Sequence, residues 1–218
     1  MPTSYPNQIS TIVKLITKLN PNSVLDVGVG FGKYGVLCRE YLELNEDKPE
    51  YNKFVKKIDG IEVYEKYLTP LHNYIYDHVY VGNVLNLIDQ MNYNYDLVLL
   101  IDIIEHFDKQ QGKNLIKKLL KQNKGIFIST PKIVSKQGSQ YENIYETHKS
   151  RWTKRDFFGF NMPFLTISDF LSLIVYLGPA DEVKNLKHWH FKNYIASIPL
   201  VASTYIFLNK YLRKFQDL

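Results

Sequence analysis

The chain has 218 residues, 45% of them hydrophobic and 14% aromatic, which suits one globular domain with a sizeable core and argues against two full domains. Twenty-seven basic against 22 acidic side chains leave a net charge of +5, too modest and too dispersed to mark a nucleic-acid protein by itself. A single cysteine, Cys38, excludes an internal disulfide framework or a multi-cysteine zinc site, and the opening MPTSYPNQIS has no charged-then-apolar leader, so a reducing, cytoplasmic setting is expected.

In chain order, Ile9, Ile12, Val13, Leu15, Ile16 and Leu19 recur at helical spacing, and Asn20-Pro21-Asn22 stops them before an apolar run over 23–27. This predicts helix, turn, buried strand. A glycine-rich turn from Gly28 to Gly35 opens a second helix through Leu37, Tyr41 and Leu42, and the polar stretch 44–57 with Pro49 predicts a surface connection. Apolar runs at 58–63, 78–81 and 96–101 are separated by helix-length segments, and a helical pattern through Leu115, Ile116, Leu119 and Leu120 leads to a further strand over 125–129. Residues 130–151 are long for a connection and predict a functional loop. A short helix is expected at 152–158 and the last strands at 164–167 and 171–176. Strands alternating with helices, most without polar alternation, predict an α/β fold: a doubly wound, Rossmann-like, mostly parallel seven-stranded sheet with helices on both faces. Residues 1–180 form one domain in this reading, and 181–218 an apolar and basic helical tail.

In such a sheet ligands sit beyond the carboxyl ends of the strands, where a glycine turn lets the backbone come close and offers unpaired N–H groups. Val24-Leu25-Asp26-Val27-Gly28-Val29-Gly30-Phe31-Gly32 occupies that place. The run Gly30-Phe31-Gly32-Lys33-Tyr34-Gly35 formally satisfies the dinucleotide pattern G-x-G-x-x-G. Against that reading, Asp26 at the turn's leading edge would repel a pyrophosphate and favour a cationic ligand. Glu62 ends the next strand, where it can accept both hydroxyls of a ribose, and Gly82-Asn83-Val84 suits an adenine edge and face. An adenosine carrying a cationic centre is S-adenosylmethionine.

On these residues, together with Gly60 to Val63 and Tyr95 to Phe107, the chain resembles the class I S-adenosylmethionine-dependent methyltransferases over roughly residues 5–176. The resemblance implies that Asp26, Gly28, Gly30 and Tyr34 hold the methionine part, Glu62 and Val63 the ribose, and Asn83 and Val84 the adenine, with Asp102 near the methionine ammonium or the reaction centre. Asn83 stands where an aspartate is common, and an amide still bonds the adenine amine, more weakly.

Methyl transfer from a sulfonium is an in-line displacement, so the enzyme must align the acceptor and, for a hydroxyl, remove its proton. Asp102-Ile103-Ile104-Glu105-His106 clusters two carboxylates and an imidazole at the ligand edge, and His148 follows in the long loop after Ser129-Thr130-Pro131. This set resembles the metal-dependent small-RNA 2′-O-methyltransferases and, in its acid-x-x-Glu-His element, the ubiquinone-pathway O-methyltransferases. That resemblance implies Asp102, Glu105, His106 and His148 as ligands of one Mg²⁺. Asp102 departs from it, being one methylene shorter than glutamate. Two other readings stay open: a polar pocket in which His148, with Glu105 and His106, acts as a catalytic acid or base without metal, and a purely structural cap.

Cys38 reads as a small buried apolar residue, His188-Trp189-His190 as surface, and Lys113, Lys117, Lys118, Lys121 and Lys124 as a solvated helix face. The uncharged run 193–209, with lysines on both sides, suits a membrane interface, a subunit contact or a helix docked on the sheet. The expectation is a methyltransferase acting on oxygen of a small-molecule, glycan or lipid-linked acceptor. The alternatives are a metal-dependent RNA 2′-O-methyltransferase and a non-catalytic S-adenosylmethionine-binding partner subunit.

Overall fold

A computed structural model describes residues 4–44, 53–91, 94–133, 143–168 and 170–198. Tyr141 and Glu142 of the long loop, and the tail from residue 199 on, lie outside the described residues. A 3-10 turn, Pro6–Gln8, leads into α1 (Ile9–Leu19), whose Ile12, Val13, Leu15 and Ile16 face inward. Asn20 ends α1 in the left-handed region, φ 46°, a conformation asparagine tolerates better than most residues.

The chain then alternates β1 (Ser23–Val27), α2 (Lys33–Leu42), β2 (Lys57–Glu62), α3 (Pro70–Ile75), β3 (His78–Val81), α4 (Val84–Leu87), β4 (Leu97–Ile101), α5 (Lys109–Gln122) and β5 (Ile126–Pro131). After 3-10 turns at Ile144–Glu146 and Lys154–Phe160 come β6 (Phe164–Ser168), β7 (Ser172–Leu177) and α6 (Ala180–Ala196). The segment expected as a helix at 152–158 is the second of these turns, started by Thr153 and Asp156 capping each other. Strand ends fall within two residues of those expected.

The seven strands lie in the order β3-β2-β1-β4-β5-β7-β6, all parallel except β7, which runs antiparallel to both neighbours. The chain reverses its direction of growth between β1 and β4, which opens a crevice at their carboxyl ends. Strands β1, β4, β5 and β7 are buried at every position because both faces are covered. One face packs Ile12, Leu15, Tyr34, Cys38, Phe127 and Tyr176 under α1, α2 and α6; the other packs Leu25, Val98, Leu115, Ile116, Ile128 and Trp152 under α5. Each such side chain contributes about 1.5–3 kcal/mol by leaving water.

A buried cation braces the β2 side. The Arg39 guanidinium donates to the carbonyls of Ile75 (2.8 Å) and Lys56 (2.6 Å), to Glu43 (2.5 Å) and to Asp77 (3.0 Å), and lies 4.3 Å from the Phe54 ring centre. No helix among the described residues is long and apolar enough to cross a membrane.

Candidate functional site

The glycine turn sits at the crevice. Gly28, Gly30 and Gly32 have φ of 78°, 53° and 88°, and a Cβ on Gly28 would come within 2.1 Å of Ile103 Cδ1, so neither the turn's path nor its closeness to β4 admits a side chain there. The sequence predicts unpaired amide donors in this turn, but four of them are taken. Gly28 and Val29 N–H bond Ile61 O (2.8 and 3.2 Å), Gly32 N–H bonds Val29 O (2.7 Å), and Gly30 N–H bonds Glu62 Oε2 (3.0 Å). A pyrophosphate would find these donors taken and a carboxylate beside them, which argues against the dinucleotide reading.

Asp26 also differs from the expectation. Its carboxylate does not line the crevice: it is buried and accepts the Tyr76 hydroxyl at 2.6 Å. Burial pushes its pKa up to about 7, against the lowering effect of that hydrogen bond. Glu62 does face the crevice, held by the amides of Gly30 and Tyr64 (2.9 Å), and burial raises its pKa.

Two adjoining cavities fill the crevice. One, of about 340 Å³, is lined by the glycine turn, Tyr34, Glu62, Asp102, Glu105 and His148. The other, of about 170 Å³, lies between Asn83-Val84-Leu85 and Ile103-Phe107. Gly28, Val63, Ile103, His106 and Tyr145 line both, so an elongated ligand can run from one into the other. Asn83 caps α4 by accepting Leu85 N–H at 2.9 Å, so one lone pair of its side-chain oxygen is already used.

Asp102, immediately after β4, has φ 54°, a strained backbone for a non-glycine residue. Gln8 Nε2 donates to its Oδ2 at 2.7 Å, Ser129 Oγ lies 3.0 Å from its Oδ1, and Ser129 also bonds Gln8 Oε1. Ser129 has one proton for two acceptors. Burial raises the Asp102 pKa against the lowering effect of these hydrogen bonds, and Gln8, Ser129 and Asp102 close a three-membered ring of contacts.

Three residues further on, Glu105 is fully buried with no hydrogen bond on either carboxylate oxygen, and it lines the larger cavity. Burial, then the neighbouring Asp102, pushes its pKa well above the carboxylate range. The His106 pKa is lowered to about 4, chiefly by burial, so the ring is neutral. Its Nδ1 faces the Thr147 carbonyl at 3.3 Å, so the tautomer protonated at Nδ1 donates there and leaves the lone pair on Nε2. The Glu105 carbonyl accepts Lys149 N–H (2.8 Å) and Ser150 N–H (3.1 Å), and Trp152 Nε1 donates to Ile104 O (3.2 Å). These bonds dock the loop so that His148 meets His106, ring centres 5.0 Å apart.

Ligand atoms of Glu105, His106 and His148 lie within 4.8 Å of one another. A buried carboxylate without partners, a neutral imidazole and a second histidine fit a divalent cation, which supplies the charge that Glu105 lacks. Asp102 is not in this group; Gln8 and Ser129 hold its carboxylate. His188 and His190 lie on α6 and join no such cluster among the described residues. Cys38 is buried, and of the α5 lysines, Lys118 pairs with Asp89; Lys124, just past α5, pairs with Glu182.

No protein-family model and no curated relative matches the sequence. Solved structures do match. An O-methyltransferase family protein from Burkholderia thailandensis superposes with a TM-score of 0.55 at 12% identity, over 78% of this chain and 55% of that one. The methyltransferase domain of bacterial CtHen1 gives 0.51 at 18%, over 79% and 99%, and the N-terminal domain of EvdMO1 gives 0.54 at 14%, over 82% and 84%. The fold is that of the class I methyltransferases. The chain therefore spans about half the length of the Burkholderia protein and nearly all of the CtHen1 domain.

Within this methyltransferase fold the turn, Glu62 and Asn83-Val84 line one continuous crevice. Several residues at the site carry no sequence signal. Gln8 precedes α1 and reaches Asp102 across 94 positions; Tyr76 covers Asp26 from beyond α3; Lys33 Nζ is held by Ser4 O (3.1 Å) and Oγ (3.2 Å). Glu146 accepts the Tyr67 hydroxyl at 3.0 Å on the cavity wall, and its pKa is raised by burial.

Proposed function

We propose that this chain is an S-adenosylmethionine-dependent methyltransferase that transfers to an oxygen of a small-molecule, glycan or lipid-linked acceptor. The observation that carries the reading is Glu105, buried without a hydrogen bond beside His106 and His148, in the same cavity as the glycine turn and Glu62. Unpartnered buried carboxylates cost stability, and their persistence beside a ligand crevice points to chemistry.

In this reading the adenine lies against Val84, Asn83 meets its edge, the ribose hydroxyls meet Glu62, and the methionine end reaches toward Asp102. Glu105, His106 and His148 hold Mg²⁺, which when bound lowers the pKa of the acceptor hydroxyl. Apart from the metal, the chain's work is alignment: the docked loop holds His148 beside the reacting end, and His148 takes the acceptor proton only where no metal occupies its lone pair. The EvdMO1 domain has been solved in the presence of S-adenosylhomocysteine and D-fucose, which supports an adenosyl cofactor and a sugar-like acceptor here. Lys33 is the one lysine or arginine among the described residues lining the larger cavity, and so few basic partners for phosphate favour a neutral hydroxyl compound over an RNA end.

Calorimetric titration with S-adenosylmethionine and S-adenosylhomocysteine, each with and without Mg²⁺, tests the cofactor. Micromolar binding is the expected result; no binding by folded protein overturns the reading. His148→Ala is expected to leave cofactor affinity nearly unchanged while turnover falls by about 10² or more. Equal loss of both would assign His148 a structural role. Tight binding with turnover only after adding a second protein would favour a partner-subunit role, and Mg²⁺-dependent transfer to a terminal ribose the RNA reading.

A further inference from the structure

The first half of α6 belongs to the domain: Val183 and Leu186 are buried in the core and Trp189 packs on its edge. The second half does not. Phe191 and Tyr194 are each 62% exposed, and with Ile195 they fall at i, i+3 and i+4, one apolar stripe of the helix, which Ile198 follows just past its end. At 100° per residue the centre of this stripe lies about a quarter-turn round the helix from the Val183 and Leu186 face, and the exposure of Phe191 and Tyr194 shows that packing against the sheet does not cover it. Lys184 and Lys187, both exposed, precede it on the same side.

Charge sets this segment apart. From Val183 to Lys214 there is no Asp or Glu, and there are six bases: Lys184, Lys187, Lys192, Lys210, Arg213 and Lys214. Without those six, 21 basic residues stand against 22 acidic, so the whole positive net charge of the chain lies here. Between Lys192 and Lys210 the sequence is uncharged for 17 residues and rich in Ile, Leu, Val, Phe and Tyr. Exposed aromatics on a helix, bases beside them and a long apolar run bracketed by further bases match a bilayer surface: rings and aliphatic chains enter the acyl boundary, and ammonium groups meet anionic headgroups.

We propose that the distal half of α6 binds the surface of an anionic phospholipid membrane. The position of α6 allows this without blocking the crevice. Leu177 at the end of β7 pairs with Ile126 at the start of β5, so α6 starts at the sheet edge opposite the one carrying Gly28, Asp102 and Pro131. The domain is thereby tethered from its far edge. This inference does not depend on the proposed reaction.

Flotation of the full-length protein tests it, using vesicles of phosphatidylcholine alone or with about one-third phosphatidylglycerol. The expected result is flotation with the anionic vesicles only. Each base near a charged surface changes membrane affinity about fivefold, so neutralising three with K184Q/K187Q/K192Q is expected to weaken partitioning by about 100-fold. Phe191→Asp with Tyr194→Asp is expected to abolish it while leaving the unfolding midpoint unchanged, since both side chains are exposed. The proposal is overturned if the full chain stays unbound, if the variants float as well as the parent, or if sedimentation shows that the stripe is buried in a dimer that F191D/Y194D splits.

Discussion

Two buried ionisable groups, one at the amino end of β2 and one in the crevice, show how differently a fold can treat an ion. Arg39 is closed in by two carbonyls, two carboxylates and an aromatic face, so each of its three nitrogens has an acceptor. Glu105, equally buried, has none. The first arrangement is complete without anything else and is architecture. The second is complete only when something enters the cavity, a metal ion or a proton, and that incompleteness separates a site from a brace.

Truncating each residue should therefore fail in opposite ways. Arg39→Met leaves Glu43 and Asp77 without their cation, and breaking a buried ionic network from one side costs about 3–5 kcal/mol. Urea unfolding should register that loss, with cofactor affinity per folded molecule unchanged. Glu105→Gln replaces a carboxyl whose charged form the folded apo protein stabilises poorly, so stability should change little while turnover falls by about 10² or more and Mg²⁺ no longer shifts the melting temperature. If Glu105→Gln instead unfolds the protein while Arg39→Met is harmless, the contrast is wrong.

Asp26 falls between these two. It has one strong partner, Tyr76, and a folded pKa of about 7. Because the folded state holds this proton more tightly than the unfolded one, stability is greatest at acid pH and falls as pH rises from about 4 to about 7, then levels. Asp26→Asn keeps an acceptor for the Tyr76 hydroxyl and removes that dependence. In the apo protein its stabilising effect should be near zero at pH 4 and grow to about 2–4 kcal/mol at pH 8. Thermal melts across that range check it; an equal effect at every pH would mean that Asp26 is ionised throughout.

How legible these differences are in the sequence depends on distance along the chain. The sheet, the glycine turn and the motifs ending β2, β3 and β4 could be read because each is a contiguous strand-turn unit in which periodicity and side-chain chemistry coincide. Glu105, His106 and His148 could be listed as candidates but not grouped apart from Asp102, because what divides them is packing: Gln8 arrives from 94 residues away and Ser129 from 27. The same limit hid the orientation of Asp26, set by Tyr76 fifty positions on, and the internal bonding of the turn's amides, set by Ile61 and Glu62 on the neighbouring strand.

Asp102 gives the smallest predicted effect and the finest division. Unlike Glu105 it is satisfied, and unlike Arg39 it lines the cavity, so its ring with Gln8 and Ser129 should position it without taking part in proton removal. Ser129→Ala deletes one member. The buried Gln8 Oε1 then loses its donor, at a cost of about 1–3 kcal/mol, and Asp102 keeps one of its two side-chain partners. Cofactor affinity should fall by less than about tenfold, the size of one neutral hydrogen bond, while turnover at saturating cofactor stays near the parent value. Denaturation, calorimetry and single-turnover rates separate the three quantities. A turnover loss as deep as that of Glu105→Gln, at unchanged affinity, would move Asp102 from the group that holds the cofactor to the group that acts on the acceptor.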